Sequence, residues 1–246
     1  MSDRQLIATH WQAALGRLAR NRAALAAGIM LVLICLAVVL GPLLVSVAPD
    51  AVDWDNISTP PSLANGHLLG TDANGRDLLA RILAGGRISL AVGLVATLVS
   101  VLIGVSYGAT AGYLGGRVDQ LMMRAVDVLY ALPFLFLVIL LTVYFGRHII
   151  LIFLAIGAIN WLDMSRIVRG QAMGLRNQEF VLAARAMGVS SSGILLRHIL
   201  PNLTGIVVVY ATLTVPQVIL AESFLSFLGL GVQEPLTSWG SLIAEG

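Results

Sequence analysis

Among the side chains that carry covalent or metal chemistry, this 246-residue chain has four histidines, one cysteine and no lysine. Without lysine there is no Walker A phosphate loop, whose lysine reaches the β- and γ-phosphates, and no Schiff-base chemistry. Cys35 lies inside an apolar run with no second cysteine for a disulfide or a thiolate metal site, so it reads as a small buried hydrophobe. His10, His67, His148 and His198 show no metal-ligand spacing and fall in loops or at the edges of apolar runs. The step Gly104-Val105-Ser106-Tyr107 places a hydroxyl within an apolar segment. A serine nucleophile needs a histidine base at the same depth, and none is there, so Ser106 reads as a helix-packing residue. The sequence therefore names no catalytic residue and no metal site, and the chain is expected to be a non-catalytic protein that binds no cofactor of its own.

The remaining polar chemistry is charge at the ends of apolar segments, and one long polar stretch. Asp163 precedes Arg166 by three residues, a helical ion-pair spacing, and Asp127 follows Arg124 at the same interval. A gating role is the functional alternative for these charges. Glu222 ends the last apolar run and is either an interfacial carboxylate or a residue at the mouth of a pathway. In the polar stretch, Glu179 to Met187 are strong helix formers, Gly188 supplies a stop in the left-handed region, and Ser190-Ser191-Ser192 offers a fresh N-cap. Ile194, Leu195, Leu196, Ile199 and Leu200 give a second short apolar face, and Pro201 marks the passage into the next segment. A helix–glycine–helix elbow of this kind either docks into a groove of a soluble partner or rests on lipid headgroups.

The elements that must hold these residues lie in lipid. The chain is 58% hydrophobic and 11% charged, with mean hydropathy +0.90; a soluble domain carries about 25% charged residues. The architecture expected is all-α, a polytopic transmembrane bundle. Five stretches approach the roughly 20 apolar residues a spanning helix needs: 23–48, 88–112, 128–145, 149–162 and 203–221. The second is rich in small residues (Gly93, Ala96, Ser100, Gly104, Gly108) that permit close helix approach. The first is too long and lacks the cleavage site for a signal peptide. With the N-terminal segment 1–22 inside, eleven arginines fall in inner loops and Arg76, Arg81, Arg87 and Arg147 outside, which orients the transmembrane region 23–246. Its parts are an outer loop 49–87, an inner loop 165–201 and an outer tail 222–246; parity leads us to expect a sixth span beyond the tail. Within the outer loop, the apolar positions of 71–89 fit a short helix lying on the membrane surface.

Ala183-Ala184, then Gly188, then Leu200-Pro201 resembles the "EAA…G…I-x-LP" loop of prokaryotic ABC import permeases, with Leu182 and His198 at the motif's Glu and Ile positions and Glu179 one turn earlier. Leu69-Gly70-Thr71-Asp72, Gly86-Arg87-Ile88-Ser89-Leu90, Gly112-Tyr113-Leu114-Gly115-Gly116-Arg117-Val118-Asp119 and Ser226-Phe227-Leu228-Gly229-Leu230-Gly231 resemble the C-type subunit of the dipeptide/oligopeptide/nickel subgroup. Trp161-Leu162-Asp163-Met164, Ile167-Val168-Arg169-Gly170-Gln171 and Gln233-Glu234-Pro235-Leu236 place it nearest the oligopeptide type. The resemblance implies a type I importer fold in the bacterial inner membrane, carrying oligopeptides. It implies a homologous B-type permease, two ATPase subunits that hold ATP and magnesium, and a periplasmic or extracellular peptide-binding protein; no nucleic acid is expected. Glu179, Ala183, Ala184, Arg185, Gly188, Arg197, His198, Leu200 and Pro201 would form the ATPase-coupling loop. Ser100, Ser106, Thr142, Thr212, Thr214 and Gln217 are the candidate pathway lining. Dipeptide or nickel import is the alternative within the subgroup. The alternative from another class, a stand-alone ion-coupled carrier or channel, would need carboxylates near mid-depth.

Overall fold

A computed structural model describes residues 16, 19–146 and 149–245. Arg4, His10, Arg17, Arg147 and His148 lie outside the described residues. Two compact units divide at Ala84 and Gly85.

In the first unit, α1 (Arg22–Leu44) starts where the Asn21 side chain accepts the amide of Ala24 at 3.1 Å. Almost every residue of α1 is exposed, as expected of a helix whose surroundings are lipid. The following loop holds itself together with side chains. Asp72 accepts the amides of Asn74 and Arg76 and pairs with the Arg76 and Arg81 side chains. Buried His67 bridges Asp77 at 2.8 Å and Asp53 at 3.3 Å. Asp77, also buried, in turn accepts the Ala80 amide at 2.7 Å and so caps α2 (Leu78–Leu114). The hydrogen bond to Asp77, then that to Asp53, holds the His67 imidazole pKa above its ordinary value. Hydrogen bonds from Asn56 and then His67 hold the Asp53 carboxyl below the usual range. The expected surface helix over 71–89 does not form separately: from Leu78 on it is the first part of α2, which continues through Gly85-Gly86.

The second unit continues from Gly85. α3 (Gly116–Tyr130) and α4 (Phe134–Phe145) follow α2, then α5 (Ile149–Arg176) and α6 (Glu179–Ala186). α7 (Ser191–Ile194), a π-helical turn (Leu195–Ile199), α8 (Leu200–Phe227) and α9 (Trp239–Glu245) complete it. Among the described residues, three helices are long and apolar enough to cross a membrane: Arg22–Leu44, Leu78–Leu114 and Ser191–Phe227. The expected single span over 128–145 is instead divided between α3 and α4, which meet at an 80° bend and together make a fourth candidate. Pro133 has no N–H to donate and forces the preceding residue out of the helical region. The expected span 149–162 is the first half of the 28-residue α5.

Glycines spaced by four on α2 let α5 approach to backbone contact. A Cβ on Gly104 would meet Met164 Cβ at 2.6 Å, one on Gly108 the Ser165 carbonyl oxygen at 2.3 Å, and one on Gly112 the Arg169 carbonyl oxygen at 2.5 Å. α3 is clamped to α5 by Asp119, which accepts two hydrogen bonds from the Arg169 guanidinium at 2.5 and 2.6 Å. Arg166 does not pair with Asp163, nor Arg124 with Asp127. Arg166 instead reaches Asp127 at 2.7 Å and lies over the Tyr130 ring at 4.4 Å. The turn that brings α3 back along α5 makes this long-range geometry better than the local one.

Glu222 is fully buried rather than interfacial. Its carboxyl accepts Ser226 at 2.7 Å and Ser89 at 3.3 Å; Ser89 also accepts the Trp239 amide. α9, capped by Ser238, closes over it, with Gly240 packed on Ser223 of α8.

Candidate coupling elbow and polar groove

The elbow is built from local signals. α6 is flanked by its N-cap Gln178 and its C-cap Met187, after which Gly188 takes φ +80°, a conformation that an L-residue adopts only with strain. A Cβ there would meet nothing within 4 Å, so the glycine is needed for backbone shape rather than for space. Ser190 then caps α7 by accepting the Gly193 amide at 3.3 Å. Before Pro201 the helix widens: Leu200 donates to Leu195, five residues back. Proline cannot bond to the Arg197 carbonyl and would clash with it, and the π turn relieves that conflict.

The elbow has a buried side and an exposed side. Val181, Ala184, Ile194, Ile199 and Leu203 pack in one core cluster with Tyr113, Met164, Val168 and Ala172 of the transmembrane helices. Arg185 lies over the Tyr113 ring at 5.7 Å. His198, on the π turn, is half-buried with its ring 6.4 Å from that of Phe180 on α6, so it takes a packing position against α6. Glu179, Ala183, Arg197 and Pro201 are exposed, and Leu200 is half-buried. The sequence marked Leu182 as a departure from the motif and Leu196 as part of a second apolar face but did not single out Phe180 or Met187; all four are exposed, Met187 at 76% and Leu196 at 62%. An apolar patch on a two-part elbow seated in the transmembrane core can receive a push from a soluble partner and pass it to α5 and α8.

The candidate lining residues do not form one surface. Ser100 is fully buried, with its hydroxyl unpartnered, as is that of Thr97. Ser106 is exposed, not a packing residue; its hydroxyl donates back to Leu102 and Ile103 carbonyls. Thr212 does the same towards Val208 and Val209. The Thr142 side chain lies outside the described residues. Thr214 and Gln217 share a groove of about 270 Å³ between α5 and α8, with Asn160, Asp163, Arg166 and Tyr210. Among the described residues no group of three or more His, Cys, Asp or Glu side chains is placed to hold a metal ion.

The family model for binding-protein-dependent transport system inner membrane components matches residues 100–246, and that for the N-terminal transmembrane domain of oligopeptide transport permease C matches residues 9–61. The oligopeptide transport system permease protein OppC of Escherichia coli (strain K12) is 57% identical over 236 residues, 96% of this chain and 78% of that protein. OppC of Haemophilus influenzae is 52% identical over 96% of this chain and 76% of its own length. The dipeptide transport system permease protein DppC of Bacillus subtilis is 45% identical over 97% of this chain and 74% of its own length. Together with the membrane-length helices, these likenesses lead to one conclusion: the chain belongs to the binding-protein-dependent transport system inner membrane component family, as a multi-pass inner-membrane permease.

Proposed function

We propose that the chain is the C-type permease subunit of an ATP-driven importer of oligopeptides. It pairs with a homologous permease, takes its energy from two ATPase subunits that hold ATP and magnesium, and receives peptide from an external binding protein. The chain itself does no covalent chemistry and binds no cofactor. Its N-terminus lies in the cytoplasm, which the arginine bias of the loops supports.

One observation carries the mechanism: the elbow joins an exposed apolar patch to a buried face that is continuous with the helix core. ATP-driven closure of the ATPase pair would press on Phe180, Leu182, Met187 and Leu196. Through Val181, Ala184, Ile194 and Ile199 the displacement reaches α5 and α8, which wall the polar groove. Packed helices respond to such a push as rigid bodies, which suits a change between inward- and outward-open states. The oligopeptide permeases of Escherichia coli, at 57%, and Haemophilus influenzae, at 52%, exceed the dipeptide permease of Bacillus subtilis, at 45%, in identity, and the family model for oligopeptide permease C matches residues 9–61; both support the oligopeptide reading.

The test is reconstitution of the chain with the second permease, the ATPases and the binding protein in proteoliposomes. Uptake of a tripeptide should require ATP and the ATPase subunits. Uptake without either would refute the proposal.

A further inference from the structure

The groove between α5 and α8 has an unusual charge inventory for a membrane helix surface. Arg166 is already committed to Asp127 and the Tyr130 ring. Asp163 is exposed and, among the described residues, has no hydrogen-bond or ion-pair partner. A carboxylate left open on a transmembrane helix has to meet a cation, a partner or water, since lipid offers it nothing.

The neighbours decide which cation fits. Asn160 donates its amide Nδ2 to the Ile156 carbonyl at 2.8 Å, which fixes the amide orientation and leaves Oδ1 as an acceptor. The Thr214 hydroxyl donates to the Tyr210 carbonyl at 2.8 Å, so that its oxygen too has only lone pairs to offer. Gln217 adds a carbonyl oxygen on the next turn of α8. The groove thus offers the Asn160, Thr214 and Gln217 oxygens around one unpaired carboxylate, while the Arg166 charge is paired with Asp127. At about 270 Å³ it takes the end of a ligand and not a whole one. The matching group is small, singly charged and has three N–H donors.

Resting on the import reading above, we infer that this groove binds the α-ammonium group of the transported peptide, with Asp163 as counter-charge and Asn160, Thr214 and Gln217 as acceptors. Every peptide with a free amino terminus carries that group, so recognition here ignores sequence. A free carboxylate or a blocked amine would be refused.

The test uses the solubilised complete membrane complex, with both permeases and both ATPases. A tripeptide carrying a photoreactive diazirine on its first residue is compared with its des-amino analogue, in which hydrogen replaces the ammonium group. The free-amine peptide should label α5 and α8 of this chain at least about tenfold more than the analogue, the size expected of a charge-assisted hydrogen bond. Asp163→Asn should bring the free-amine peptide down to the level of the analogue, and Asp163→Glu should restore much of the difference. Equal labelling by the two peptides, or an unchanged contrast in Asp163→Asn, would overturn the inference. So would loss of the second permease from the purified Asp163→Asn complex, which would make Asp163 a subunit contact. ATP-driven uptake by the same wild-type complex, reconstituted with the binding protein in proteoliposomes, is measured alongside: uptake without the labelling contrast sinks only the groove, and absent uptake sinks the import reading itself.

Discussion

Replacing Gly108 by alanine should drive α2 and α5 apart at their closest point. The added Cβ would stand 2.3 Å from the Ser165 carbonyl oxygen and 3.0 Å from its Cα and carbonyl carbon, all backbone atoms with no rotamer to escape through. A carbon–oxygen contact needs about 3.3 Å, so the helices must separate by roughly 1 Å. That gap forfeits a quarter to a half of the attraction of each atom pair along the seam shared with Gly104 and Gly112. The expected cost is about 2–3 kcal/mol, within the range for overpacked sites. Gly170→Ala, on α5 itself, is the control: nothing lies within 4 Å of its added Cβ. There the better helix propensity of alanine should stabilise by about 0.5–1 kcal/mol. The assay is unfolding of each variant by SDS in mixed micelles, followed by tryptophan fluorescence. Equal midpoints for the two variants would refute the backbone-contact account of the α2–α5 seam.

Two further outcomes follow from the ion pairs and the loop. Asp119→Ala leaves the half-buried Arg169 guanidinium without its two charge-assisted hydrogen bonds and should cost about 2 kcal/mol, whereas Asp127→Ala breaks an exposed pair and should cost no more than about 1 kcal/mol; the same SDS titration compares them, and similar losses would contradict the burial argument. The His67 bridge should make the loop 49–77 sensitive to pH. A folded-state pKa raised above the ordinary 6.5 means that the protonated ring's contribution is complete below 6.5 and is lost as pH rises through the raised value. Amide exchange in this loop, corrected for intrinsic rates, should therefore speed up with rising pH in the wild type and lose that dependence in His67→Gln.

What the sequence made legible was whatever depends on neighbours along the chain. The elbow is spelled out by Gly188, Ser190 and Pro201 acting within a few residues, and α6, its glycine stop and the new cap stand where those residues place them. The spacing of Gly104 and Gly108 likewise pointed to a close helix contact, and α5 lies against it. What escaped was decided by partners far apart in sequence. Arg169 meets Asp119 across 50 positions and Arg166 meets Asp127 across 39, so the local pairings that helical spacing suggests lose to them. Glu222 looked interfacial because it ends an apolar run; its burial depends on Ser89, 133 residues away, and on α9 folding back over α8. Pro133 was visible, but composition alone could not say that it would turn one apolar stretch into two helices at 80°. The groove was half legible: Thr214 and Gln217 stood among the lining candidates, while Asn160 and Asp163 join them only once α5 and α8 pack.

The coupling claim is tested most directly by measuring ATP hydrolysis and peptide uptake in the same proteoliposomes for the wild type and Gly188→Val. The substitution meets no neighbour, so its effect is confined to a backbone conformation that costs a non-glycine residue about 1–2 kcal/mol. A misshapen elbow should leave the complex assembled and hydrolysing ATP while uptake falls by about tenfold or more, the factor that 1.4 kcal/mol of lost coupling represents. Hydrolysis and uptake that both stay at wild-type levels would contradict the account.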